Sequence, residues 1–139
     1  MRFLYGALAA LGGLALLGAL GWAAFGPLPA RSDADRELRY VIPKGAAQQG
    51  ARGQGPLGLP SELHLQVGVR DILVLRNEDT EPQQIGPVAL APGQTYRIQF
   101  SQPAAIQLAC SFHQGIGFVL FVDPPPGPGW ERLRWRLGW

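Results

Sequence analysis

Cysteine is almost absent from this chain of 139 residues: Cys110 stands alone, so no internal disulfide forms and the fold rests on packing. No cysteine lies near Met1 to carry a lipid anchor. Lysine is nearly missing too, with Lys44 the only one among 12 basic residues. A surplus of either charge is lacking: 12 basic and 10 acidic residues leave a formal charge of +2, too small for the electrostatic footprint of a nucleic-acid binder. There is no Ser–His–Asp pattern and no closely spaced carboxylate pair in a recognisable motif. The glycines at 45–58 lack the Lys–Ser/Thr of a phosphate loop. These absences predict a protein that is not an enzyme and takes neither nucleic acid nor a small-molecule substrate. At 15.0 kDa and 47% hydrophobic residues, the chain has the length of one domain and too much apolar content for wholesale disorder.

That apolar content is unevenly spread. Phe3 to Phe25 (FLYGALAALGGLALLGALGWAAF) is uncharged. As a helix it would be roughly 34 Å long, against a hydrocarbon core of about 30 Å. It exceeds the roughly 7–15 apolar residues of a signal peptide, and Leu28-Pro29-Ala30 is a poor cleavage site. Residues 1–26 are therefore predicted to be a retained single-span anchor rather than a removed leader. Arg2 and the α-amine put the short N-terminus inside and the rest on the periplasmic or extracellular side of the cell membrane. Gly6 with Ala10, Ala9 with Gly13 and Ala15 with Ala19 allow close helix approach, although such residues are common in membrane helices generally.

After a polar linker (27–36), the chain punctuates itself at short intervals. Glu37–Ile42, Glu62–Val67, Asp71–Arg76, Thr95–Phe100, Ala105–Cys110 and Phe118–Val122 read as strands, separated by turn clusters such as Asn77–Thr80 and Ala91-Pro92-Gly93. Residues 44–60, rich in Gly and Gln, have no periodicity and are predicted to be an irregular loop. Short strands at this spacing predict an all-β domain over 37–123, an antiparallel sandwich or barrel.

One constellation carries chemistry. Cys110-Ser111-Phe112-His113 puts a thiol and an imidazole three apart just after a strand. A soft thiolate with imidazoles in a trigonal set, plus a weak axial ligand, is the donor set of a blue-copper centre. The run Cys110 to Gly117 resembles the copper loop of cupredoxins, particularly plastocyanin-like ones, and Leu75 to Pro82 resembles the strand and turn that lead to that family's first His ligand. The turn at Gly93 is similar as well. The resemblance covers about residues 37–122 and implies a Greek-key β-sandwich with a metal site at one end. It also implies ligands that this chain lacks: the first His position holds Gln83, and the axial Met position falls on Phe118.

A missing axial ligand is tolerable because that bond is long and weak; a missing equatorial imidazole is not. His64 falls in the polar phase of its strand, opposite the core-facing leucines, and is predicted to be a surface histidine. Three readings of Cys110 and His113 remain open: a working copper site with Gln83 as substitute ligand, loose two-coordinate Cu(I) binding, and a vestigial site on a retained scaffold whose cavity Phe112 and Phe118 fill. The third is preferred, with no bound cofactor and copper as the alternative. Burial after the apolar AIQLA run protects the thiol without a metal.

The tail (124–139) opens on Pro124-Pro125-Pro126-Gly127-Pro128-Gly129, a stiff extended spacer. Leu133, Trp135, Leu137 and Trp139 then alternate with Arg132, Arg134 and Arg136, which predicts an extended segment with one apolar and one guanidinium face. Its candidate contacts are its own sandwich, the membrane surface, or a protein partner, for which Trp130, Arg132, Arg134, Trp135, Arg136 and Trp139 are the binding residues. Together these features predict a membrane-anchored, outward-facing accessory or interaction subunit of a larger assembly, respiratory if the resemblance holds. The alternative is a copper-binding electron-transfer protein or Cu(I) carrier using Cys110 and His113.

Overall fold

The computed structural model describes residues 2–52, 62–108 and 118–138, with side chains at all of these except 2–11, 50, 51 and 118. The chain forms two compact units, Met1–Ala30 with Pro126–Trp139, and Arg31–Pro125.

The Arg31–Pro125 unit is mostly β. Its strands are β1 (Glu37–Ile42), β2 (Glu62–Gln66), β3 (Ile72–Asn77), β4 (Gln83–Ile85), β5 (Val88–Leu90), β6 (Thr95–Gln99), β7 (Ala104–Leu108) and β8 (Phe118–Asp123). One sheet runs β1-β3-β6 and a second β2-β8-β7, with β4 and β5 forming a separate hairpin. Alternation turns Leu63 and Leu65 of β2 inward, whereas Ile72–Leu75 of β3 are buried on both faces. Leu38 pairs with Leu73 and Tyr40 with Leu75 on one sheet; Leu63 pairs with Leu120 and Leu65 with Val122 on the other. These side chains meet in one core, sealed by Ile42, Ile85 and Leu90.

Three differences from the sequence reading have physical causes. The sandwich is mixed rather than antiparallel, because β1–β3 and β2–β8 pair in parallel. Residue order and alternation specify faces but not strand direction. The hairpin β4–β5 lies in a stretch too short to show a period. Its two-residue turn is Gly86-Pro87, where Gly86 has φ +55° and a Cβ would sit 2.5 Å from Leu108 Cδ2. Within 44–60, Ala46–Ala51 is helical (α3), and the linker holds a helical turn at Asp33–Arg36 (α2), capped by Ser32.

Helix α2 is fastened to the sandwich through charge. Arg36 makes a two-pronged bond to Asp71, Nε to Oδ1 at 2.9 Å and Nη2 to Oδ2 at 2.7 Å, and the Gly68 N–H adds a third donor. Asp71 is buried. Burial pushes its carboxyl up, yet the Arg36 guanidinium and the Gly68 N–H hold it below the usual carboxylate range. On the surface, Arg97 of β6 reaches both Asp33 and Glu37.

In the other unit, α1 spans Arg2–Phe25 and ends where Gly26 N–H bonds Trp22 O; a Cβ on Gly26 would lie 2.5 Å from that oxygen. Among the described residues no helix is long and apolar enough to cross a membrane. The described side chains of α1 begin at Gly12, which leaves roughly 21 Å of helix at about 1.5 Å per residue. The tail is not extended as the alternation predicted. Trp130–Leu137 is helix α4, with Gly138 in the left-handed conformation as its C-cap. Period two in eight residues lost to strong helix formers, Leu, Arg and Glu, and to the docking of α4 on α1 described below.

Because the folded-state carboxyl of Asp71 is depressed, its stabilisation is present above the unfolded value of about 3.9 and lost as pH falls through the lower folded value. Arg36→Ala leaves that buried charge uncompensated and should cost about 3 kcal/mol. Acid unfolding followed by far-UV circular dichroism should then begin at a higher pH than in the wild type; an unchanged acid midpoint contradicts the assignment.

Candidate functional site

Of the residues expected at a metal centre, Gln83 is the one whose side chain is described, and it lies at the start of β4 beside the end of β3. Strand β3 ends at Asn77, which is fully buried, and its amide organises the turn that follows. Asn77 Nδ2 donates to Glu81 O at 2.9 Å and to Leu90 O at 3.0 Å, while its Oδ1 accepts the Asp79 N–H at 2.9 Å. That arrangement turns the Asp79 side chain inward, where it is 3% exposed.

Asp79 accepts four hydrogen bonds. The N–H groups of Gly45 and Thr80 donate to Oδ1, each at 2.8 Å; Ala47 N–H donates to Oδ2 at 2.8 Å, and Gln83 Nε2 donates to Oδ2 at 3.1 Å. Two of these donors are free N–H groups at the start of α3, so a carboxylate 32 to 34 residues away in sequence serves as that helix's N-terminal cap. Burial raises the Asp79 carboxyl, but the N–H groups of Ala47, Gly45 and Thr80 and the Gln83 amide together bring it below the usual value. Among the described residues the group is an anion held by dipoles rather than by a cation.

Gln83, the residue at the expected first ligand position, is buried at the start of β4, where it pairs with Leu90. Its neighbour is an ionised carboxylate, so its amide nitrogen must be the edge that faces Asp79. What it offers a metal is at most an amide oxygen, a hard donor where copper's strong bonds call for imidazole or thiolate. Among the described residues Gln83 therefore fits copper poorly, and no three His, Cys, Asp or Glu side chains are placed to hold a metal ion. Cys110 and His113 lie outside the described residues. Phe118 opens β8, with its side chain outside them.

His64 is a surface residue, as the alternation predicts: Leu63 and Leu65 are buried, whereas its own side chain is 60% exposed. Its ring stacks on Phe121 at 5.0 Å and lies 3.4 Å from Asp123 Oδ2. Sequence reasoning took Asn77–Thr80 as a simple turn and so missed Asn77 and Asp79. The available signal was an Asn and an Asp two apart at the end of an apolar strand, a spacing that lets side chains replace backbone partners in a turn.

The tail residues divide in two. Arg132 and Arg136 both reach the C-terminal end of α1. Arg132 Nη1 donates to Gly26 O at 2.8 Å; Arg136 Nη1 donates to Trp22 O at 2.7 Å and Ala23 O at 2.9 Å, and its Nη2 reaches Gly26 O and Pro27 O. Gly129 N–H adds a bond to Ala24 O at 2.8 Å. Two cations thus meet the carbonyls at the negative end of the helix dipole. Trp130 and Arg134 remain exposed, Trp135 is half-buried, and Trp139 lies outside the described residues.

No protein-family model and no curated protein matches the chain. Among solved structures it is similar to a novel purple cupredoxin from Nitrosopumilus maritimus, at 20% identity over 61% of this chain and 98% of that one, with a TM-score of 0.43. It is similar to an oxidised amicyanin variant at 17% identity over 70% and 91%, with a TM-score of 0.43. It is also similar to a chain of a heme-copper terminal oxidase dimer at 13% identity over 88% and 99%, with a TM-score of 0.37.

Asp79→Ala should orphan three backbone donors and cost about 3 kcal/mol, read as a lower urea midpoint of the Arg31–Pro125 unit. Arg136→Ala should cost the helix end about 1 kcal/mol. It should speed hydrogen exchange in the last turn of α1 and leave the melting of the sandwich unchanged.

Proposed function

We propose that the chain is a membrane-anchored, outward-facing cupredoxin-like protein with a degenerate type 1 copper site. It acts as a non-catalytic accessory or interaction subunit of a larger membrane assembly, and electron transfer in respiration is the setting its resemblance implies. The observation that carries this reading is the bond from Gln83 Nε2 to Asp79. The side chain at the position of the first imidazole is used as a strut between β4 and a buried carboxylate. The polar residues of this end of the sandwich hold α3 and the β4–β5 hairpin, work that needs no metal.

The anchor is supported by the 24-residue α1, whose described side chains between Gly12 and Trp22 are all exposed although apolar. A helix that is apolar around its circumference requires a non-aqueous surrounding. The uncharged run of Phe3–Phe25 supplies the length of a span. With the short N-terminus inside, the Arg31–Pro125 unit lies outside the cytoplasm.

The test is metal loading of the full chain in detergent. One equivalent of Cu(II) should produce no intense thiolate-to-copper charge-transfer absorption, and dialysis should remove the metal. A stoichiometric, strongly coloured one-copper product overturns the accessory reading in favour of electron transfer. Retention of one colourless Cu(I), abolished by Cys110→Ser, overturns it in favour of copper carriage.

A further inference from the structure

The described residues leave nine large hydrophobic side chains exposed, and eight belong to the unit built from α1 and α4: Leu14, Leu16, Leu17, Leu20, Trp22, Phe25, Trp130 and Leu137. Val41 is the ninth. The six on α1 are spread over roughly 240° of its circumference at about 100° per residue, too wide for a single docking groove. On α4 the exposed residues are ordered. Trp130, Arg134 and Leu137 stand at i, i+4 and i+7 and so form one stripe, with Trp130 63% and Leu137 58% exposed. Arg132 and Arg136, also four apart, lie on the opposite side and grip the end of α1. The helix therefore has an inner face that fixes its place and an outer face without a described covering.

We propose that this outer stripe is a lipid-contact surface: α4 lies in the headgroup layer of the leaflet where α1 emerges, with Trp130 and Leu137 at the acyl boundary and Arg134 on lipid phosphate. The inference rests on the proposed anchoring and adds to it the site where the chain meets the membrane surface. Depth is the first argument. A helix of 24 residues is about 36 Å long, slightly more than a hydrocarbon core of about 30 Å, so its last turn falls in the interface. Arg132 and Arg136 clasp that last turn, which sets α4 at the same depth. Chemistry is the second. Trp22 and Phe25, 67% and 70% exposed, place two further aromatic rings at the end of α1. Tryptophan at headgroup depth and arginine near phosphate are the favoured interfacial pair. The eight residues of α4 carry three arginines against one glutamate, a surplus of two positive charges suited to anionic lipid.

The test reconstitutes the full chain in phosphatidylcholine/phosphatidylglycerol vesicles whose acyl chains are brominated either near the headgroup or near the bilayer centre. Two single-tryptophan variants are compared, one keeping Trp22 and one keeping Trp130, with the other tryptophans changed to Phe. Both should be quenched several-fold more by shallow than by deep bromine. Quenching of Trp22 without quenching of Trp130 overturns this inference and assigns the stripe to a protein partner or to water. Loss of quenching at both positions overturns the anchoring as well, so the two failures are distinct. A second variant avoids changing the half-buried Trp135: a spin label on Leu137→Cys, in a Cys110→Ser background, should be more accessible to oxygen than to a water-soluble nickel reagent. The reverse order also overturns the proposal.

Discussion

A buried carboxylate with no cationic partner among the described residues holds this molecule's candidate site together. Asp79 is ionised because four N–H donors converge on it, three from the backbone and one from Gln83. The Gln83 amide, the buried donor among them, would otherwise be short of a partner, and an unpaired buried donor costs about 1–3 kcal/mol. The same anion therefore ends one loop, starts one helix and orients one side chain of the hairpin. Asn77 performs the matching task beside it, closing the turn through Glu81 O and Leu90 O.

That economy bears on function. A type 1 copper centre needs strong donors that face the ion and are free of other duties. At the Gln83 position the side chain is recruited into the support of the loop, so structural and metal roles compete for the same residue. On the proposed reading a scaffold is retained while its site is reassigned, in line with the general separation of fold from function. The core runs from Leu63, Leu65, Leu73, Leu75, Leu120 and Val122 on the two sheets to Ile42, Ile85 and Leu90 at this end.

Much of the fold is legible in the residues because alternation is a local property. The Glu37–Ile42 strand is found with its predicted bounds, four others lie within one residue of theirs, and the strand predicted over Ala105–Cys110 begins at Ala104, its predicted end lying outside the described residues. Strand direction was not legible, since a parallel neighbour and an antiparallel one bury the same alternate residues. The β4–β5 hairpin was invisible because three-residue strands carry no measurable period. The tail misled for the opposite reason. Its strict alternation was real, but Arg132 and Arg136 are also four apart, and the carbonyl end of α1 rewards the helical spacing. Of the candidate site, Gln83 and Phe118 were placed by resemblance, whereas the acceptor that binds Gln83 became visible only once residues 45, 47 and 79 were brought together.

The clasp between α4 and α1 joins residues 106 to 114 positions apart, so the first helix and the last belong to one unit with the sandwich inserted between them. Two stretches of backbone therefore join the units, and a nick in either leaves the β unit tethered by the other.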